Sequence, residues 1–123
     1  MTTPVAVWID HHEARVVHFM PGQTAEVATT AARAYHRPAG TVGPAPDLEG
    51  ARRYYHDLAR ALDGFGSVLI VGPSTAKLDF IRYVHAHDRA LEARIVGVET
   101  VDHPTDGQLV AYARKYFELG VNA

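Results

Sequence analysis

The sequence predicts an α/β domain in which three antiparallel strands precede an αβαβα run, giving a mixed five-stranded sheet with helices on both faces. Two observations carry this prediction. Near the N-terminus, two runs rich in β-branched residues are separated by a short polar turn, which is typical of an antiparallel hairpin. Further along, two apolar runs each follow a segment of helical periodicity, which is typical of parallel strands joined by helical crossovers.

The first strand is predicted at 5–9, an apolar run that includes Trp8, which we expect in the core. A polar turn at 10–13 follows, and a second strand at 14–20 ends at the Pro21–Gly22 pair, which breaks regular structure. A weaker third strand is predicted at 24–30. Because the connections are short, neighbouring strands in this part should run antiparallel.

The segment 31–46 is predicted to form a long loop, because three prolines and two glycines interrupt any periodicity there. A loop of this length is uncommon in a small domain and usually either has a function or is disordered. The segment contains no Asp or Glu, whereas Arg33, His36 and Arg37 make it locally basic.

Helical periodicity begins after Asp47, a plausible N-cap, and ends before Gly64. The continuous apolar run 67–71 predicts a strand buried on both faces, and a Gly-Pro turn leads from it into a second helix. The last strand is predicted at 94–98. The final helix is predicted to start at Thr105, where Gln108 completes a capping box, and to end at Gly120.

The composition restricts the classes of function. The chain has 123 residues, which predicts one domain spanning 1–123, and its net charge of −2 means that any RNA contact must come from a local basic patch. Cysteine is absent, which excludes disulfides, thiolate metal sites and a cysteine nucleophile. A signal peptide and an apolar run of about 20 residues are both missing, so we expect a soluble, cytoplasmic protein without a membrane partner.

Three stretches, at 7–16, 68–77 and 95–109, carry a resemblance to small bacterial proteins known as translational machinery proteins, and it spans nearly the whole chain. In topology the sequence also resembles the middle domain of archaeo-eukaryotic class 1 release factors and Pelota, which has a ribonuclease-H-like strand order. The resemblance implies association with translation, with the ribosome or tRNA as partner and no cofactor.

In the release factors, the loop after the third strand carries Gly-Gly-Gln, which places a water against the ester that joins peptide to tRNA. The corresponding loop here has no glutamine. The resemblance therefore implies RNA contact without that chemistry. In this interpretation Arg33, His36 and Arg37 contact phosphates, while Gly40 and Gly43 let the backbone approach closely. The alternative is a solvated connector.

A second hypothesis is a metal-dependent phosphodiester hydrolase. Asp10 ends the first strand, where ribonuclease-H-like nucleases keep a metal-binding carboxylate, and Glu49 or Asp57 could supply a second ligand. The fourth strand ends in Gly72-Pro73-Ser74 without an acid, so the metal set is incomplete and no metal site is predicted. The alternative for Asp10 is a turn in which its carboxylate accepts hydrogen bonds from backbone amides.

Four further candidates, Glu99, Asp102, His103 and Asp106, follow at the end of the last strand, on the usual ligand side of open α/β sheets. One carboxylate with His103 could bind a metal or act as an acid–base pair. Alternatively, the acids serve the start of the next helix, where negative charge is favourable. We commit to no catalytic residue and favour a protein that is not an enzyme.

Ser74, Thr75 and Lys77 begin the second predicted helix and could bind an anion, although a plain N-cap is the favoured interpretation. His85 and His87 are predicted to stabilise the C-terminal end of that helix. A third hypothesis for the whole chain is a self-associating, non-catalytic module. The sequence leaves the oligomeric state open, a homodimer included.

Overall fold

The computed structural model describes residues 3–19, 25–31 and 48–122. The elements in chain order are β1 Val5–Ile9, β2 Glu13–Phe19, β3 Ala25–Ala31, α1 Leu48–Ala61, β4 Val68–Gly72, α2 Ala76–His87, α3 Arg89–Glu92, β5 Ile95–Thr100 and α4 Asp106–Asn122. The predicted order of strands and long helices is confirmed. The four-residue α3 was not predicted; Asp88 begins it by accepting a hydrogen bond from the Leu91 backbone N–H at 3.0 Å.

The five strands form one sheet in the order β3-β2-β1-β4-β5. β2 pairs antiparallel with β1 and β3, whereas β4 pairs parallel with β1 and β5. The three-strand meander followed by two crossover units is therefore confirmed. β1 lies at the centre with a partner on each side, and all five of its residues are buried, which explains its continuous apolar sequence.

Alternate residues of β1 face opposite layers of helices. Val5, Val7 and Ile9 pack in a core with side chains of α1, α2 and α3, among them Tyr55. Ala6 and Trp8 pack on the other face in a second core, to which α4 contributes Leu109 and Ala113. The prediction of helices on both faces is thus confirmed, as is the buried position of Trp8.

The C-terminal ends of strands β1, β4 and β5 lie at one edge of the sheet, which we call the carboxyl edge. At this edge β4 ends in Gly72, where an added Cβ would collide with the carbonyl oxygen of Ile9. Only glycine permits this close approach of the two strands. Within the described ranges, no helix has both the length and the apolar character required to cross a bilayer.

Candidate functional site

The carboxyl edge brings together most of the predicted polar candidates. Asp10 directly follows β1, and Asp102 and His103 lie in the connection between β5 and α4, with Asp106 beginning α4. Glu99 lies within β5, opposite Val71 of β4. Among the described residues Glu99 forms no hydrogen bond or ion pair with the other four candidates. The structure therefore assembles four of the five acid and histidine candidates at one edge of the sheet.

Asp10 closes the turn between β1 and β2. Its Oδ1 accepts hydrogen bonds from the backbone N–H groups of His12 at 2.7 Å and Glu13 at 2.8 Å. This is an Asx turn, in which a short carboxylate side chain substitutes for a backbone acceptor. The turn explains why Asp follows the strand, and it leaves Oδ2 directed towards His103.

The imidazole of His103 lies between two carboxylates. Its Nδ1 is 3.0 Å from Asp102 Oδ1, and its Nε2 is 3.6 Å from Asp10 Oδ2. The ring also stands edge-on to the indole of Trp8, with the ring centroids 5.2 Å apart. The side chain of His103 is 63% exposed, so the imidazole is open to solvent while it lies between the two carboxylates.

Arg15 is the residue of this site that the sequence analysis missed. It lies on β2 opposite Trp8 and is only 9% exposed, although it carries a charge. Its Nη1 donates hydrogen bonds to the Pro104 carbonyl at 2.8 Å and to Asp106 Oδ1 at 2.9 Å. The guanidinium also stacks on the Trp8 ring, 4.3 Å from its centroid. The available sequence signal was an arginine at an inward-facing position of a mostly apolar strand.

Trp8 and Arg15 together hold the β5–α4 connection against the sheet. The indole N–H of Trp8 donates to the Asp102 carbonyl at 2.7 Å, two residues before the carbonyl that Arg15 binds. Arg15 Nε has no hydrogen-bond partner among the described atoms and lies 3.6 Å from a Glu13 carboxylate oxygen. The position of His103 therefore depends on a buried cation and an aromatic ring in the strands below it.

The predicted metal-dependent hydrolase gains no geometric support at this edge. Asp106 is ion-paired with Arg15, and one oxygen of Asp10 is engaged in its turn. Over residues 3–19, 25–31 and 48–122, no three His, Asp or Glu side chains are arranged to hold a metal ion. Asp57 lies on α1, and the side chain of Glu49 lies outside the described part.

Tyr54 of α1 reaches the same turn from the opposite face of the sheet, where its hydroxyl donates to the Asp10 carbonyl at 3.1 Å. Burial, together with the nearby Asp10 carboxylate, raises the pKa of Tyr54 far above its ordinary value of 10. Burial likewise raises the pKa of the adjacent Tyr55 to about 12. Both hydroxyls therefore stay protonated in the folded chain at pH values where an unfolded tyrosine ionises.

These shifts predict a loss of stability in alkaline solution. The contribution of each raised tyrosine pKa to the free energy of unfolding is fully present below pH 10 and is lost as the pH rises. For Tyr55 the loss extends over about pH 10–12, and for Tyr54 it continues to higher pH. Tyr54→Phe should make the decline of unfolding free energy above pH 10 shallower by about 1.4 kcal/mol per pH unit. Urea titrations at a series of pH values measure this slope. Equal slopes for both proteins would contradict the assignment.

At the start of α2, where the sequence predicts an anion site, the lysine side chain is engaged in a contact within the turn itself. Thr75 is the N-cap residue, as expected, but its side chain makes no capping hydrogen bond. The stem of Lys77 is buried, and its Nζ donates to the Ser74 carbonyl at 2.7 Å. This contact explains Lys77 structurally, and anion binding stays a prediction.

The capping predictions fare differently at the two other helix ends. Thr105 and Gln108 form the predicted capping box: the Thr105 N–H donates to Gln108 Oε1 at 2.9 Å, and the Gln108 N–H donates to Thr105 Oγ1 at 3.1 Å. His85 and His87 lie in the last turn of α2, as predicted. His85 Nδ1 lies 2.5 Å from a Glu92 carboxylate oxygen of α3, so its partner comes from the unpredicted helix.

The loop candidates Arg33, His36, Arg37, Gly40 and Gly43 lie outside the described residues, as does the predicted N-cap Asp47. The strand that precedes the loop is described. Its last residue, Ala31, pairs with Glu13, which is the first residue of β2. The chain therefore leaves β3 at the same edge of the sheet that carries Asp10 and His103.

No protein-family model and no curated protein sequence matches this chain. Solved structures do match. Pelota from Thermoplasma acidophilum aligns with a TM-score of 0.59 and 21% identity, over 86% of this chain and 30% of that one. Pelota from Archaeoglobus fulgidus gives 0.56 and 14%, over 98% and 37%. The archaeal translation termination factor aRF1 gives 0.52 and 14%, over 98% and 41%.

This chain spans less than half the length of each of these proteins, and at such identities the likeness concerns the fold. The predicted resemblance to Pelota and the release factors is confirmed at that level. The resemblance to bacterial translational machinery proteins stays a prediction. The chain thus has the fold of one segment of Pelota and of an archaeal translation termination factor.

Proposed function

We propose that this chain takes part in translation by contacting ribosomal RNA or tRNA through the loop 33–43. The observation that carries the proposal is a segment that contains Arg33, His36 and Arg37 and no acidic residue. This segment follows β3, which ends at the carboxyl edge of a sheet with the release-factor fold. Ligands of open α/β sheets commonly bind at that edge. One protein with this fold is named as a translation termination factor, which supports a role in translation.

The proposed contact is electrostatic and not catalytic. The chain contains no Gly-Gly-Gln sequence, and its two glutamines are Gln23 and Gln108. Gln108 caps α4, and Gln23 precedes the loop by ten residues and lies outside the described residues. We therefore propose that Arg33, His36 and Arg37 bind the RNA backbone, with no hydrolysis of the peptidyl ester. We also propose that the chain forms a single domain and that it is located in the cytoplasm.

The net charge of −2 makes the loop decisive for binding. A protein with this overall charge gains no general attraction to RNA, so phosphate contacts must come from local cations. Each neutralised phosphate of a single strand contributes roughly 0.7 to the slope of log affinity against log salt. Loss of two arginines should therefore weaken binding and flatten its dependence on salt.

The test is sedimentation of cell extract through sucrose at low salt. The unaltered protein is expected to travel with ribosomes, and Arg33→Ala with Arg37→Ala is expected to shift most of it to the top of the gradient. Arg82→Ala with Arg89→Ala is the matched control, since both arginines are exposed on helices and their loss changes the net charge equally. The proposal fails if the unaltered protein stays at the top, or if the loop variant sediments like the unaltered protein.

A further inference from the structure

A shallow depression lies on the surface where α1 and α2 pack side by side. It is lined by Arg52, Arg53 and His56 of α1 and by Tyr83 of α2, and its volume is about 250 Å³. Pockets that enclose a drug-sized ligand hold roughly 300–1,000 Å³. The depression therefore suits partial contact with one planar group and its flanking charges. We call it the α1–α2 depression.

The charge of the depression differs from that of the whole chain. Among the side chains that the structure describes, two arginines and a histidine line it and no carboxylate does, although the net charge of the chain is −2. Arg52 and Arg53 are both exposed, and neither forms an ion pair with a side chain that the structure describes. Guanidinium groups that are open to solvent are suited to phosphate, to which each can donate paired N–H groups.

The aromatic part of the depression is held in place from two sides. The Tyr83 hydroxyl lies 3.2 Å from His56 Nδ1, and the Tyr83 ring lies 4.5 Å from the ring of His87. On its inner side Tyr83 packs against the core that contains Tyr55. The ring is therefore fixed in orientation, and a group that contacts the part of it lining the depression finds it already ordered, which lowers the entropic cost of binding.

We propose that the α1–α2 depression binds single-stranded RNA, with a base against Tyr83 and the adjacent phosphates on Arg52 and Arg53. Surfaces that bind single strands combine cations along the backbone with aromatic rings on which bases stack. An acidic peptide would satisfy the arginines but offers no planar group to the part of Tyr83 that lines the depression, so RNA fits the whole lining better. This site is additional to the loop contact and rests on residues of its own.

The experiment measures fluorescence anisotropy of a labelled eight-nucleotide oligouridylate titrated with the full chain at several salt concentrations. Arg52→Ala with Arg53→Ala should weaken binding at least tenfold and reduce the salt slope by about 1. Tyr83→Leu should weaken binding about fivefold or more at an unchanged salt slope, because the ring carries no charge. Tyr83→Phe, which keeps the ring, should bind within twofold of the unaltered protein.

Arg82→Ala with Arg89→Ala again serves as the charge-matched control and should change affinity less than twofold. Circular dichroism melts show whether each variant is folded; if Tyr83→Leu is not, the two arginine pairs decide the test. Oligouridylate affinity unchanged by loss of Arg52 and Arg53 overturns the proposal, as does equal affinity for an octaglutamate peptide. Arg33→Ala with Arg37→Ala, measured in parallel, separates failure of the loop proposal from failure of this one.

Discussion

Trp8→Ala is expected to lower the free energy of unfolding by about 3–5 kcal/mol, the largest effect of any single substitution discussed. The Trp8 ring is 1% exposed and packs with Leu109 and Ala113 of α4. Its removal leaves a cavity in the second core. It also leaves the Asp102 carbonyl without the indole N–H that it accepts at 2.7 Å. Since domains are stable by about 5–15 kcal/mol, this loss removes a large share of the total.

Urea denaturation followed by circular dichroism measures the effect, because Trp8 is the single tryptophan and its fluorescence disappears in the variant. Trp8→Phe is the control. It keeps an aromatic ring for packing and for Arg15, and it loses the indole hydrogen bond. We expect Trp8→Phe to cost about 1–2 kcal/mol. A cost below about 1 kcal/mol for Trp8→Ala would show that the second core does not depend on this ring.

The elements that could be predicted from sequence are those whose signal is local. The buried strands β1 and β4 appear as short apolar runs, since a strand covered on both faces has no reason to alternate. The capping box of Thr105 and Gln108 depends on a spacing of three residues. By contrast, the four residues of α3 are fewer than any periodicity requires.

The candidate site could be predicted only in part, because its contacts join distant segments. Asp10 and His103 were each recognised at the end of a strand, but their proximity depends on the register of β1, β4 and β5. The contact of Arg15 with Asp106 spans 91 residues, and nothing near Arg15 in the sequence indicates a partner. The α1–α2 depression combines residues of two helices that face each other only in the folded chain.

Arg15→Met is expected to cost about 2–3 kcal/mol and to loosen the connection between β5 and α4. Methionine retains much of the side-chain volume, so the loss reflects the hydrogen bond to the Pro104 carbonyl and the stacking on Trp8. The backbone N–H of Val101, which donates to the Gly72 carbonyl at 3.1 Å, should exchange faster with solvent. Hydrogen exchange and urea denaturation measure the two effects.

Asp106→Asn separates the buried contacts of Arg15 from its ion pair. The Asp106 side chain is 62% exposed, so the pair should contribute at most about 1 kcal/mol and less at high salt. Arg15→Met should therefore lower the free energy of unfolding clearly more than Asp106→Asn does. The difference should persist in 1 M salt, where the screening length is on the order of 3 Å and exposed ion pairs contribute little. If the two variants are equally destabilised, the guanidinium acts through Asp106 alone. The connection that carries His103 would then be held against the sheet by the Trp8 hydrogen bond to the Asp102 carbonyl, without a contribution from the buried contacts of Arg15.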